Sequence, residues 1–167
     1  MPMIRRALCF IRRFRSAQDG VAVVEFVLSL PFMILVFAIV IECGRLFLGY
    51  QSALSGVRTA SRYLARVAPV DICVTGGSLG GYDAMLKTMI EKDRDGNSVM
   101  PSKFVVTRVE ATYVCQAGSY RISPAPIATV AAQITAEVPF GNMFSLFGAP
   151  MGTLVTTVSD SSRIFGQ

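Results

Sequence analysis

Gly20-Val21-Ala22-Val23-Val24-Glu25-Phe26 places a carboxylate five residues past a glycine, at the head of a long apolar segment. Glu25 is an acid in a run that otherwise suits hydrocarbon. Near the centre of a bilayer helix an acid costs roughly 2.5–3.5 kcal/mol on insertion scales. An ionisable residue there is a functional candidate whose partner must be sought. Hydration of Glu25 at the cytoplasmic interface is the alternative.

The elements around this junction are set by charge and apolar length. From Phe26 to Ile41 there is no charge, and the apolar run reaches back to Val21. About twenty-one helical residues at 1.5 Å each span about 31 Å, the thickness of a hydrocarbon core. A single membrane pass is therefore expected over 21–42. Arg5, Arg6, Arg12, Arg13 and Arg15 all precede it. Basic flanks stay on the cytoplasmic side, so the N-terminus is expected inside and the larger part outside. These arginines and Asp19 account for +4 of the chain's net +5, so the basic balance encodes topology and does not indicate nucleic-acid binding.

Other export signals fit poorly. A conventional signal peptide has an apolar core of about 7–15 residues and an Ala-x-Ala-like cut. The core here is longer and is followed by Glu42 and Arg45. A lipoprotein cut before Cys43 needs a small preceding residue, and Glu42 stands there. Arg5-Arg6 and Arg12-Arg13 lack the context of a twin-arginine signal.

The junction carries a resemblance. The basic leader, Gly20, Val21-Ala22-Val23-Val24 and Glu25-Phe26 look like the cleavage site of a type IV prepilin. Val27-Leu28-Ser29-Leu30-Pro31, then Ile39-Val40-Ile41-Glu42-Cys43-Gly44-Arg45, resemble the TadE-like proteins, minor pseudopilins of tight-adherence (Tad, or Flp) pilus systems. Arg58-Thr59-Ala60-Ser61-Arg62 fits the same family. The likeness covers about residues 12 to 66.

The resemblance implies that a prepilin peptidase cuts between Gly20 and Val21 on the cytoplasmic side. It also implies that Glu25, with Phe26 beside it, sets register by neutralising the Val21 amine of an adjacent subunit. The implied partners are that peptidase, other pilins and pseudopilins, and the Tad assembly platform. The implied location is a bacterial inner membrane with an extracytoplasmic C-terminal domain, from which the protein enters a surface pilus. Flp-type major pilins are very short after cleavage, whereas 147 residues remain here, so the expected product is a minor subunit. The competing reading is an uncleaved signal-anchored envelope protein whose outer domain binds a protein partner.

Beyond the membrane span, Leu46, Tyr50, Leu54, Val57, Ser61, Leu64 and Ala68 recur at three- and four-residue steps. That spacing predicts continuation of the helix over 43–68, with Pro69 near its end. Pro31, inside the apolar half, removes one backbone donor and predicts a local kink. Arg58, Arg62 and Arg66 form a stripe opposite much of the apolar face. Along a straight helix it begins roughly 24 Å beyond Glu42, too far to reach lipid headgroups. The stripe is either a solvated face or a contact for acidic groups on a neighbouring subunit.

Residues 69–167 read as a small α+β domain. Thr75 to Gly81 is a glycine-rich loop that lacks the Gly-Lys-Ser/Thr ending of a phosphate loop. Tyr82 to Lys92 reads as a short helix with Met85, Leu86, Met89 and Ile90 on one side. Asp93-Arg94-Asp95-Gly96-Asn97 opens like a calcium loop, but Ser98 and Phe104 occupy the positions that need Gly and Glu, so it reads as a polar turn.

Strands are predicted over Phe104–Cys115, Ile127–Val138 and Thr153–Ile164. Tyr120–Ile122 reads as an extension of the first hairpin. Pro139–Pro150 reads as an apolar loop or short helix rich in phenylalanine. The expected fold is a long N-terminal transmembrane helix continuing as a stalk, packed on a small antiparallel sheet.

Among the four cysteines, Cys9 lies in the leader and Cys43 at the outer end of the membrane helix. Cys73 and Cys115 lie in the exported part, where disulfides persist. A Cys73–Cys115 bond is expected, with two unpaired thiols as the alternative. The chain has no histidine, so a Ser-His-Asp or Cys-His centre is excluded and a zinc site is not expected. Asp71, Asp83, Glu91, Asp93 and Asp95 read as solubilising acids. No cofactor or enzymatic activity is expected.

Overall fold

The structure is a computed structural model that describes residues 20–141, 145, 148 and 152–166. The leader and Cys9 therefore lie outside the described residues, as do Met143, Phe144, Leu146 and Phe147 of the expected apolar loop. The chain divides into two compact units, Met1–Ile41 and Glu42–Gln167.

Helix α1 spans Val21–Val67 and contains Pro31. Its N-terminal part, in the first unit, is one helix long and apolar enough to cross a membrane. Leu28 is 66% exposed and Phe32 69%, so much of this apolar surface is left uncovered by the described residues. An apolar surface of this extent marks contact with lipid or with other proteins.

The second unit is built on the rest of α1 and a three-stranded antiparallel sheet. Strands β1 (Phe104–Gln116), β2 (Ala125–Glu137) and β3 (Thr153–Arg163) lie in the order β1-β2-β3. Each is paired with its sequence neighbour. The β2 residues Ala128, Val130, Ala132, Ile134 and Ala136 alternate into the core, as expected of a sheet with one solvated face. They share the core with Ala53, Val57, Ala60, Leu64 and Ala68 of α1. Small side chains on both layers keep the separation short while Leu64, Val57 and Ile134 fill it.

A β-bulge falls between Val106 and Arg108. The hydroxyl of the extra residue, Thr107, donates to the Gln133 carbonyl at 3.1 Å, so the interrupted ladder regains a bond. The last turn of α1 is closed from the far end of the chain. The Phe165 N–H donates to the Ala65 carbonyl at 3.0 Å, one of the four carbonyls a helix leaves unpaired at its C-terminus.

Between α1 and the sheet run α2 (Ile72–Thr75), a 3-10 turn at Gly80–Tyr82 and α3 (Asp83–Glu91). Leu79, Leu86 and Ile90 enter the core. The Asp83 carboxylate, in the first turn of α3, accepts from the Ala111 N–H of β1 at 3.0 Å. It thus anchors the helix to the sheet while standing where the helix dipole favours an acid.

Four local expectations are corrected. Tyr50 is 45% exposed, and the inner face at this level belongs to Gly49. The ring of Phe104 fills the space beside that glycine: a Cβ on residue 49 would lie 2.3 Å from Cε1. Met85 is 47% exposed, so α3 buries Leu86 and Ile90 and turns its methionines outward. Tyr120–Ile122 belongs to the connection, and β2 already begins at Ala125. Pro126 is accommodated there because β3 pairs only from Ile127 onward. Its missing N–H therefore costs no bond to β3, while its carbonyl accepts from Ile164 at 2.9 Å. Finally, Thr75–Gly81 is not wholly loop: Thr75 ends α2, and Gly80 and Gly81 start the 3-10 turn.

Candidate functional site

The expected processing junction stands at the first turn of α1. Gly20 is exposed, and a Cβ built on it meets no atom within 4 Å. Val21 begins the helix, and Glu25 and Phe26 are also exposed. Val21 and Glu25 are four residues apart and so share a helix face. Among the described residues Glu25 makes no ion pair.

The second acid of α1 is placed quite differently. Glu42 is only 3% exposed. Its Oε2 accepts from Arg45 Nε at 3.1 Å and from Nη2 at 3.0 Å, and its Oε1 accepts from the Phe140 N–H at 3.1 Å. Arg45 also donates to the Ser102 carbonyl at 3.0 Å and to the Glu137 carbonyl. Its guanidinium lies 5.3 Å from the centroid of the Phe104 ring. One ion pair thus joins α1 to the turn before β1 and to the end of β2. A buried pair is favourable only when its remaining donors and acceptors are satisfied, and this one is satisfied by three backbone groups. In the sequence Glu42 ends the uncharged run and belongs to the TadE-like stretch, but no contact is assigned to it. The available signal was an acid and an arginine three apart, immediately after an uncharged run.

A second buried polar contact lies further along α1. The Ser61 hydroxyl, fully buried, meets the Asp160 carboxylate of β3 and donates to the Arg58 carbonyl at 3.1 Å. The arginine stripe faces away from this contact. Arg58, Arg62 and Arg66 are all exposed, but they do not act together: Arg62 and Arg66 line an open groove between α1 and α3, whereas Arg58 stands outside it. The polar turn forms the rim of that groove. Its Asp93 carboxylate accepts from the N–H groups of Asp95 and Asn97, each at 2.9 Å.

Cys73 in α2 and Cys115 near the end of β1 are joined by a disulfide, with Cα atoms 5.8 Å apart. The bond ties the segment after α1 to the sheet. Cys43 is free and exposed.

The family model of TadE-like proteins matches residues 20–62. Residues 20–62 are TadE-like. The match starts at Gly20 and ends in the middle of the arginine stripe, so it covers the junction, the apolar half of α1 and the Glu42–Arg45 pair. The match suggests association with a Tad pilus system. No curated protein and no solved structure matches the chain.

Proposed function

We propose that this TadE-like chain is a minor pseudopilin, cut after Gly20 by a prepilin peptidase and contributing to assembly of a Tad/Flp-type adhesive pilus. The observation that carries the reading is the coincidence of three boundaries: the family match starts at Gly20, α1 starts at Val21, and the uncharged run follows Glu25. In the cleavage, water adds across the Gly20–Val21 peptide bond. The products are a Gly20 carboxylate and a Val21 amine.

Two changes follow from the cut. The five leader arginines leave, and with them most of the charge that holds the N-terminus at the cytoplasmic face. A new cation appears on the helix face that carries Glu25. In a bundle of apolar helices an unpaired charge is strongly unfavourable. Pairing Glu25 with the Val21 amine of a neighbouring subunit removes two such charges and sets the axial register. Exposure of Glu25 and of the apolar side chains around it supports this role.

The role is non-catalytic: the chain is the substrate of the peptidase and a component of the assembly. Expression with the peptidase, followed by N-terminal sequencing, tests the processing step. Glu25→Ala tests the register step. It is expected to be cut but to be lost from purified pili; a variant that is cut and still co-assembles contradicts the pairing.

A further inference from the structure

The groove between α1 and α3 has a chemistry that the core and the proposed processing leave unused. Arg62 and Arg66 rise from α1 four residues apart, and Lys92 and Arg94 face them across the opening. None of the four has an ion pair among the described residues. The acid in the same wall, Asp93, is engaged by backbone donors of its own turn. Between the cations the wall carries Met85, Met89 and Val99 beside the neutral polar side chains of Ser55, Thr59 and Thr88. Met85 is 47% exposed although its helix neighbours Leu86 and Ile90 are fully buried. The groove thus combines uncompensated positive charge with polarizable side chains that adapt to a partner's shape.

The geometry points to this groove as the docking site for an acidic, partly apolar segment of a different protein, with carboxylates at helical spacing against Arg62 and Arg66 and an apolar side chain against Met85 and Met89. Charge complementarity selects that occupant. The chain's own leader carries five arginines and is repelled. A second copy offers little: Glu91, Glu110 and Glu137 are paired with Lys87, Arg108 and Lys103. The exposed acids of its second unit whose carboxylates have neither an ion pair nor a hydrogen bond among the described residues, Asp71 and Asp95, are too far apart in sequence to present carboxylates at helical spacing. A phosphate polymer satisfies the cations but leaves the methionines uncovered. Only the expectation that the partner belongs to the pilus system rests on the function proposed above.

The test uses the full chain in cells that carry the pilus system. A photo-crosslinking amino acid replaces Thr59 or Met89 in the groove, or Thr112 on the solvated face of the sheet as a control, and adducts are mapped by mass spectrometry. The expected result is an adduct, from the groove positions only, to a segment of another protein with at least two acids. In the background of Arg62→Glu with Arg66→Glu its yield should fall about five-fold or more, since reversed charges repel the partner. Retention of the Cys73–Cys115 bond in that background shows that the fold persists. Arg62→Gln with Arg66→Gln should give an intermediate yield. Such an adduct to a protein outside the pilus system upholds the groove and overturns the pilus reading. An adduct to a second copy, to nucleic acid or to none, or a yield indifferent to charge reversal, overturns the groove whether or not pili assemble.

Discussion

Glu42 accepts a hydrogen bond from the backbone N–H of Phe140 at 3.1 Å, ninety-eight residues further along the chain. Arg45, held on its other oxygen, donates to the turn before β1 and to the end of β2 and so fastens both to α1.

Removing one partner of this pair should cost more than removing both. Arg45→Met leaves Glu42 buried with a single donor, and a loss of about 3 kcal/mol is expected, near the lower end for breaking a buried pair. The double variant Glu42→Leu with Arg45→Met should recover part of that loss. Thermal or denaturant unfolding of the full chain in detergent measures both. Equal stability of the single variant and the unaltered chain contradicts the account.

Gly49 and Phe104 make a second test, in which a sign changes. Alanine is preferred over glycine in a helix by about 1 kcal/mol. Here the added Cβ meets the Phe104 ring at 2.3 Å, and overpacking of this kind costs about 1–3 kcal/mol. Gly49→Ala should therefore destabilise the unaltered chain and stabilise a Phe104→Ala background. A stabilising effect in both backgrounds removes the close approach from the account.

The Cys73–Cys115 bond closes a loop across 42 positions. The loop-entropy account assigns about 4 kcal/mol to a bond of that span, less where the unfolded chain retains structure. Cys73→Ser with Cys115→Ser should lower stability by a few kcal/mol. Alkylation before reduction should modify Cys43 and spare Cys73 and Cys115. Labelling of those two without reductant contradicts the bond.

Much of this architecture is legible in the residues themselves. The uncharged run and the four-residue recurrence up to Pro69 set out α1. A run rich in Val, Thr and Tyr marks β1, and imperfect alternation of polar and apolar residues marks β2. What stayed hidden was decided by partners distant in sequence. Tyr50 continues an apolar pattern, yet Gly49 faces inward because Phe104, fifty-five residues on, fills the space beside it. Helix α2 is four residues long, too short for periodicity to reveal, and is held by the burial of Ile72 and the disulfide at Cys73. The carboxylate of Glu42 is stabilised by a backbone N–H, and a backbone donor has no signature in sequence. The arginine stripe was visible as a pattern, but only the placement of α3 separates Arg62 and Arg66 from Arg58.

The central claim is that Gly20–Val21 is a processing site. Its most direct test is the N-terminal sequence of the full chain made together with a prepilin peptidase, with Gly20→Leu as the control. The account predicts Val-Ala-Val-Val-Glu-Phe as the new N-terminus and an uncut Gly20→Leu chain. An intact end at Met1 or Pro2 in the unaltered protein contradicts it and favours a permanently anchored envelope protein.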